Sequence, residues 1–390
     1  MHSIQTPAIL LDLNILERNI KNASVGGGKQ LWPMLKTHKS TEIARMQLEN
    51  GCTGFLCGTL DECEAVCAKF VQGQKRDIGI MYAYPVASET NIARAIKLAR
   101  ECDFYVRLDH LQQAKLLNNA AKEAGVVVNY SVIINCGLDR FGIAPVELEL
   151  FLCKMAGFTH LKFCGISTHS GHVYREASQA WVQSVAQQES DIMSEATAVL
   201  HRMGTQPQFV GSGCTPTHPI VKNDGVIDML HPGNYVFMDN FQITLGVATE
   251  QDCALTVLAT VIAAPRNGEF IIDAGAKCFG LDKGAHGNTK IQGFGRVKGF
   301  PMAEVYSLSE EVGKIIVQGE SEIKIGDTLE IIPNHACATA NNTSYFVGTR
   351  NGVPERSIYV DMRGNSQVPP LLVHRQSNLR RTHQSSSLRA

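Results

Sequence analysis

The chain has 390 residues, 44% of them hydrophobic, and 36 Lys and Arg against 37 Asp and Glu leave a formal net charge of −1. That length exceeds one minimal domain and that apolar content builds a large core, while near-neutrality argues against a nucleic-acid protein or a polybasic membrane binder. No apolar run reaches the ~20 residues of a membrane helix, and the opening Met1-His2-Ser3-Ile4-Gln5-Thr6-Pro7 lacks a basic region followed by an apolar one, which predicts a cytoplasmic protein.

From 31 to 235 short apolar runs alternate with amphipathic stretches. Eight runs read as strands: 31–35, 53–57, 78–83, 104–108, 126–134, 161–168, 208–211 and 226–230. Their continuous apolar character suits parallel strands covered on both faces. Helix starts between them are marked by the capping patterns Thr59-Leu60-Asp61-Glu62 and Asp109-His110-Leu111-Gln112, and Gly125 suits the end of the helix that the second one opens. Eight such repeats predict a TIM (β/α)8 barrel over 8–245. An open doubly wound sheet is the competing architecture, but no glycine-rich GxGxxG turn follows the first strand. Of the 12 cysteines, Cys52, Cys57, Cys63 and Cys67 share one stretch without a CxxC pair and read as buried reduced thiols.

The pattern changes after 245. β-rich runs at 254–261, 269–272, 315–317 and 328–332, separated by turn residues, predict a smaller C-terminal β domain over 246–364. The stretch 365–390 is rich in serine and arginine and too poor in apolar residues to fold, so it reads as a disordered tail.

In such a barrel the chemistry gathers just past the C-terminal ends of the strands. Lys36 closes the first strand and faces the barrel mouth. Arg140 lies in the glycine-flanked stretch after the fifth, and His169 and Tyr174 share the loop after the sixth. The seventh and eighth are followed by Gly211-Ser212-Gly213-Cys214-Thr215 and His231-Pro232-Gly233-Asn234, the small residues and free N–H groups of a phosphate cradle. In the β domain His335 and Cys337 are two residues apart; on an extended segment both side chains point the same way and grip one cation, zinc preferred on softness grounds. As two protein ligands they leave positions open for water or substrate.

Taken in order, Thr6-Pro7-Ala8, Lys36-Thr37-His38-Lys39, Thr168-His169-Ser170-Gly171, Thr215-Pro216-Thr217, Pro232-Gly233-Asn234-Tyr235, Asp273-Ala274-Gly275, Gly293-Phe294-Gly295 and Pro333-Asn334-His335-Ala336-Cys337 resemble the fold-type III pyridoxal 5′-phosphate (PLP) enzymes. Within these they are similar to the group of D-serine dehydratase, D-threo-3-hydroxyaspartate dehydratase and D-threonine aldolase, with alanine racemase more distant. The resemblance runs from about residue 4 to Gly364. It implies a lyase on small D-3-hydroxy amino acids, a homodimer with sites near the subunit boundary, and two cofactors, PLP and a divalent metal (zinc preferred, manganese or magnesium as alternatives). It implies that Lys36 carries PLP, that Gly213, Cys214, Thr215, Gly233 and Asn234 form the phosphate cup, that Arg140, His169, Tyr174 and His231 adjoin the cofactor, and that His335 and Cys337 hold the metal. The H-x-C pair leans towards dehydratase, since the aldolases of this group more often show H-x-D; an aldolase, a racemase and a non-catalytic PLP carrier are the alternatives. The chain departs from the family in having Cys214 where the cup usually has serine, Val312 where many relatives have histidine, and His231 where alanine racemase has an arginine facing the pyridine nitrogen.

Overall fold

The computed structural model describes residues 4–283 and 291–363. The expected tail lies outside the described residues. Eight parallel strands form one sheet in the order β2-β9-β8-β7-β6-β5-β4-β3, where β2 is Gln30–Leu31, β3 Gly54–Cys57, β4 Gly79–Tyr82, β5 Phe104–Leu108, β6 Val128–Ile133, β7 Leu161–Ser167, β8 Phe209–Ser212 and β9 Met229–Leu230. A parallel bridge between Met34 and Leu56 joins the two edges, which completes the expected (β/α)8 barrel.

Strand alternation explains why the runs look continuously apolar. Phe55 and Cys57 of β3, Ile80 of β4, and Phe104, Val106 and Leu108 of β5 pack in the main core with residues of the surrounding helices. The residues between them, Leu56 and Met81, turn into the barrel and meet Trp32, Cys164, Phe209 and Met229. Trp32 fills this interior because Gly54 and Gly79 admit its ring: an added Cβ would lie 2.5 Å and 1.9 Å from it. Its indole N–H donates to Gln30 Oε1 (3.1 Å) and Thr53 Oγ1 (3.0 Å), so its polar edge is satisfied as well. The barrel interior is packed below its mouth.

The other sheet has nine strands, in the order β11-β14-β13-β12-β15-β10-β1-β16-β17. They are β1 Ala8–Asp12, β10 Leu255–Arg266, β11 Glu269–Ile272, β12 Gly295–Val297, β13 Ala303–Leu308, β14 Gly313–Val317, β15 Thr328–Pro333, β16 Tyr345–Arg350 and β17 Val353–Tyr359. The long β10 pairs with both β15 and β11, so β10, β11, β14, β13, β12 and β15 close into a small antiparallel barrel. Residues 8–12, expected with the first barrel, pair instead with β10 and β16 of this sheet. The first helix then carries the chain over to the barrel: Leu13–Asn22 opens at Asp12, whose carboxylate accepts from the Asn14 and Ile15 amides.

Local expectations were shifted in four places. The second capping pattern starts one residue later: His110 is the N-cap and closes a reciprocal box with Gln113. Thr59 does cap the helix Leu60–Val66, but the Glu62 carboxylate turns away to the Gly58 amide and Lys39, so only half of that box forms. Lys36 does not close the first strand. Pro33 has no N–H for the ladder, β2 stops at Leu31, and Lys36 sits in the single 3-10 turn Leu35–Thr37 beyond it. His335 and Cys337 are not on an extended segment: β15 ends at Pro333, His335 is the N-cap of the short helix Ala336–Asn341, and Cys337 lies in its first turn. Gly125 ends its helix in the left-handed conformation at φ 64°, as expected. Cys52, Cys57, Cys63 and Cys67 are buried free thiols. Among the described residues no helix is long and apolar enough to cross a membrane.

Candidate active site

One cavity of about 490 Å³ opens at the mouth of the large barrel and reaches the β domain. All twelve residues singled out in the sequence line it: Lys36, Arg140, His169, Tyr174, Gly213, Cys214, Thr215, His231, Gly233, Asn234, His335 and Cys337. They come from the turn after β2, the loops after β6, β7, β8 and β9, and the helix after β15.

The loops after β8 and β9 are held too close for side chains at two points. A Cβ on Gly213 would lie 2.4 Å from His231 Cβ and 2.6 Å from the His231 carbonyl oxygen, and one on Gly233 would lie 2.9 Å from Thr37 Oγ1. The result is a concave stretch of backbone beside Lys36. His169 ties the loop after β7 to it through a hydrogen bond from Nδ1 to the Gly213 carbonyl. We expect Gly213→Ala to cost about 1–3 kcal/mol through overpacking and to weaken PLP binding, checked by thermal denaturation and by PLP titration.

The cavity floor is polar and incompletely satisfied. Arg107 on β5 turns inward, as the alternation from Tyr105 requires, and is 5% exposed. Its Nε donates to Ser167 Oγ (2.8 Å), while Nη2 finds no partner among the described residues. Burial lowers its pKa to about 10. His231 is equally buried; Nδ1 donates to the Trp32 carbonyl (2.9 Å), and burial, with Arg107 nearby, lowers its pKa to about 3. The ring is therefore neutral with Nε2 as an acceptor, and Nε2 has no partner among the described residues. A cradle that a Cβ would fill, a lysine at its edge and unpaired polar atoms below it fit a phosphorylated, heteroaromatic aldehyde such as PLP.

Across the cavity, His335 and Cys337 interact directly, and Cys337 Sγ lies 3.5 Å from Thr37 Oγ1 on the Lys36 turn. His335 Nδ1 lies 2.5 Å from Asp282 Oδ2. Burial alone would push the Cys337 thiol up; His335, Thr37 and Lys36 outweigh it and hold the thiol below its ordinary range. Burial opposes the charged form of His335, but Cys337 and Asp282 raise its pKa well above the usual histidine value. A thiol held low beside an imidazole offers the ligands of a soft cation site, since deprotonated sulfur and nitrogen are the ligands that zinc prefers. Among the described residues no third His, Cys, Asp or Glu completes a cage of three.

Asp239 joins the two halves of the site and was not read from the sequence. It is fully buried and accepts from Asn234 Nδ2 (2.6 Å), the Gln242 amide (3.0 Å) and the Ala336 amide (3.0 Å). It therefore links the loop after β9 to the turn that carries His335 and Cys337. An Asn offers one acceptor oxygen where the carboxylate offers two to three donors. Asp239→Asn is expected to cost about 1–3 kcal/mol and to lower metal content and PLP affinity together, read by denaturation, metal analysis and PLP titration. Tyr174 stands between the halves: its hydroxyl accepts from Gln242 Nε2 (3.2 Å) and its ring packs 5.2 Å from Phe241. Arg140 lies further out, its guanidinium 5.7 Å from the Tyr84 ring centroid and 5.4 Å from that of Phe141. Val312 lies in the turn between β13 and β14.

Comparison with known proteins matches residues 11–241 to the family described as "Alanine racemase, N-terminal domain" and residues 254–349 to the one described as "Putative serine dehydratase domain". D-serine dehydratase of Dictyostelium discoideum is 30% identical over 374 residues, covering 87% of this chain and 92% of that protein. D-threo-3-hydroxyaspartate dehydratase of Delftia sp. HT23 has a solved structure that superposes with a TM-score of 0.83 at 26% identity, covering 92% of this chain and 97% of the other. Two further structures, each described as a D-threo-3-hydroxyaspartate dehydratase, carry alanine in place of a histidine and in place of a cysteine two residues later, the second in a metal-free form. D-threonine aldolase of Filomicrobium marinum shares the fold, with a TM-score of 0.83 at 24% identity over 93% of this chain and 96% of that one. The chain belongs to this D-serine dehydratase family of PLP-dependent lyases, built on an alanine racemase-type barrel.

Proposed function

We propose that the protein is a PLP- and zinc-dependent dehydratase of D-3-hydroxy amino acids, D-serine or 3-hydroxy-D-aspartate, that releases a keto acid and ammonia. The observation that carries this reading is the placement of Lys36 and the His335–Cys337 pair on one cavity, bridged by Thr37 and Cys337 at 3.5 Å.

Lys36 would hold PLP, with Gly213, Cys214, Thr215, Gly233 and Asn234 around its phosphate. His169, Tyr174 and Arg140 would border it, and His231 and Arg107 would lie beneath. When bound, PLP is an electron sink for charge at the substrate α-carbon, and a cation on His335 and Cys337 is a Lewis acid for the β-hydroxyl. Lys36 Nζ, at the edge of the cup, would take the proton from the substrate α-carbon. Tyr174 and Phe241 close one wall against water. The His335–Cys337 pair fixes which atom of the substrate meets the acid, because the two ligands face Lys36 across the cavity. His231, held neutral by burial, offers an acceptor lone pair from below and no positive charge.

An H-x-C pair at the spacing of the two variant positions in the D-threo-3-hydroxyaspartate dehydratase structures supports elimination. Retro-aldol cleavage to glycine and an aldehyde is the second reading, and the 27% identity to a D-threonine aldolase of Arthrobacter sp. supports it. We further propose a cytoplasmic homodimer. Incubation with D-serine, D-threonine and 3-hydroxy-D-aspartate tests the function. Keto acid and ammonia are expected; glycine and an aldehyde would establish the aldolase, and inverted amino acid alone would refute both.

A further inference from the structure

The helix Gln179–Arg202 buries a regular apolar stripe, Val182, Val185, Ala186, Met193, Ala196 and Leu200, and in its middle the same stripe buries Glu189. A carboxyl group in an apolar stripe needs partners that repay its desolvation. Ser170 Oγ donates to Glu189 Oε2 (2.8 Å) and Ser212 Oγ donates to Oε1. Thr217 adds a third hydroxyl, 3.4 Å from Ser170 Oγ. Glu189, Ser170, Ser212 and Thr217 are each no more than 2% exposed.

These three hydroxyls are not scattered. Ser170 follows His169, Ser212 precedes Gly213, and Thr217 closes the segment that begins at Gly213. From this convergence we infer that Glu189 is the positioning residue of the phosphate cup: it clamps both ends of Gly213–Thr217 and the base of the His169 loop, so that the cup is formed before a phosphate arrives. Preformed donors bind more tightly because no ordering cost is met on binding. His169, bonded to the Gly213 carbonyl, makes the same connection from the other side. Burial raises the Glu189 pKa to about 7, with Asp224 adding to the rise, so near neutrality the group can stand behind a phosphate as an uncharged acid. The two thiols that face it, Cys136 and Cys214, are pushed up by burial and stay neutral.

The inference rests on the PLP reading, and pyridoxal separates the two. Pyridoxal can join Lys36 but has no phosphate for the cup. Full-length wild-type, Glu189→Ala, Glu189→Gln and Ser212→Ala chains, stripped of cofactor, are titrated with PLP and with pyridoxal, and the absorbance of the lysine-bound form is followed. Glu189→Ala is expected to weaken PLP roughly 10- to 100-fold, the loss of one or two buried hydrogen bonds to a carboxyl. Pyridoxal should change less than about threefold, because the Lys36 turn is intact. Glu189→Gln, which keeps an acceptor and lets the hydroxyls rotate, should recover most of the PLP affinity. If Glu189→Ala does not fold, Ser212→Ala must show the same selective loss in smaller measure. Equal loss for PLP and pyridoxal, or no loss for either, overturns the assignment to Glu189. A wild-type chain that binds neither overturns the PLP reading and this inference with it.

Discussion

Cys337→Ala is expected to abolish keto-acid release, by at least about three orders of magnitude, while leaving the absorbance of Lys36-bound cofactor in place. Hydroxide is a poor leaving group, and at neutral pH a metal supplies the acid that elimination needs without a proton donor of tuned pKa; Lewis-acid stabilisation of several kcal/mol corresponds to that loss. The two ligands sit at the start of the helix Ala336–Asn341, anchored by Asp239 through the Ala336 amide, whereas the phosphate cup belongs to the barrel loops. Loss of the thiolate therefore empties the metal site and spares the cofactor. His335→Ala should behave alike, although a hydrogen bond to Asp282 is then lost as well. Exchange of the α-proton with solvent is expected to survive in both, since Lys36, the proposed base, is intact. Metal content, cofactor absorbance and keto-acid release, measured together, check the prediction. Variants that lose metal and still release keto acid at the wild-type rate would move the reading to a racemase or a carrier.

Lys36→Ala is expected to lose all detectable turnover and all covalently held cofactor. The turn Leu35–Thr37 places Lys36 between the cup and the metal pair, with Gly58 close enough that an added Cβ there would lie 2.8 Å from Lys36 Cβ. That packing fixes the root of the side chain, and among the described residues the other lysine on the cavity, Lys39, is paired with the buried Glu62. PLP should still bind weakly through its phosphate. Metal content should be unchanged, because His335 and Cys337 come from the β domain. Addition of a small primary amine is the check on role: partial rescue shows that the missing amine, and not a collapsed cavity, explains the loss.

The barrel was legible because its strands keep an apolar residue on both faces, as Phe55, Leu56 and Cys57 show. The β domain was legible only where strands are buried. β17 is exposed along nearly its whole length and gave no apolar signal, while β1 is apolar but lies far in sequence from the strands it pairs with, so its sheet could not be read. The loops of the site could be read from small residues at strand ends and from family likeness. Asp239, Asp282 and Glu189 could not, since their roles depend on contacts across the chain. Glu189 did leave one trace, a carboxylate at a buried position of an amphipathic helix, and Arg107 left another, a charge on the inward face of a barrel strand. The H-x-C pair was found by an argument from extended backbone that the structure replaces with a helix start; the two side chains meet all the same.

Borohydride reduction of the PLP-loaded protein, followed by proteolysis and peptide mapping, shows which lysine holds the cofactor. A stable phosphopyridoxyl label is expected on Lys36 alone, in the peptide that contains Leu35-Lys36-Thr37. A label on any other lysine, or none on a chain that turns over substrate, would contradict it.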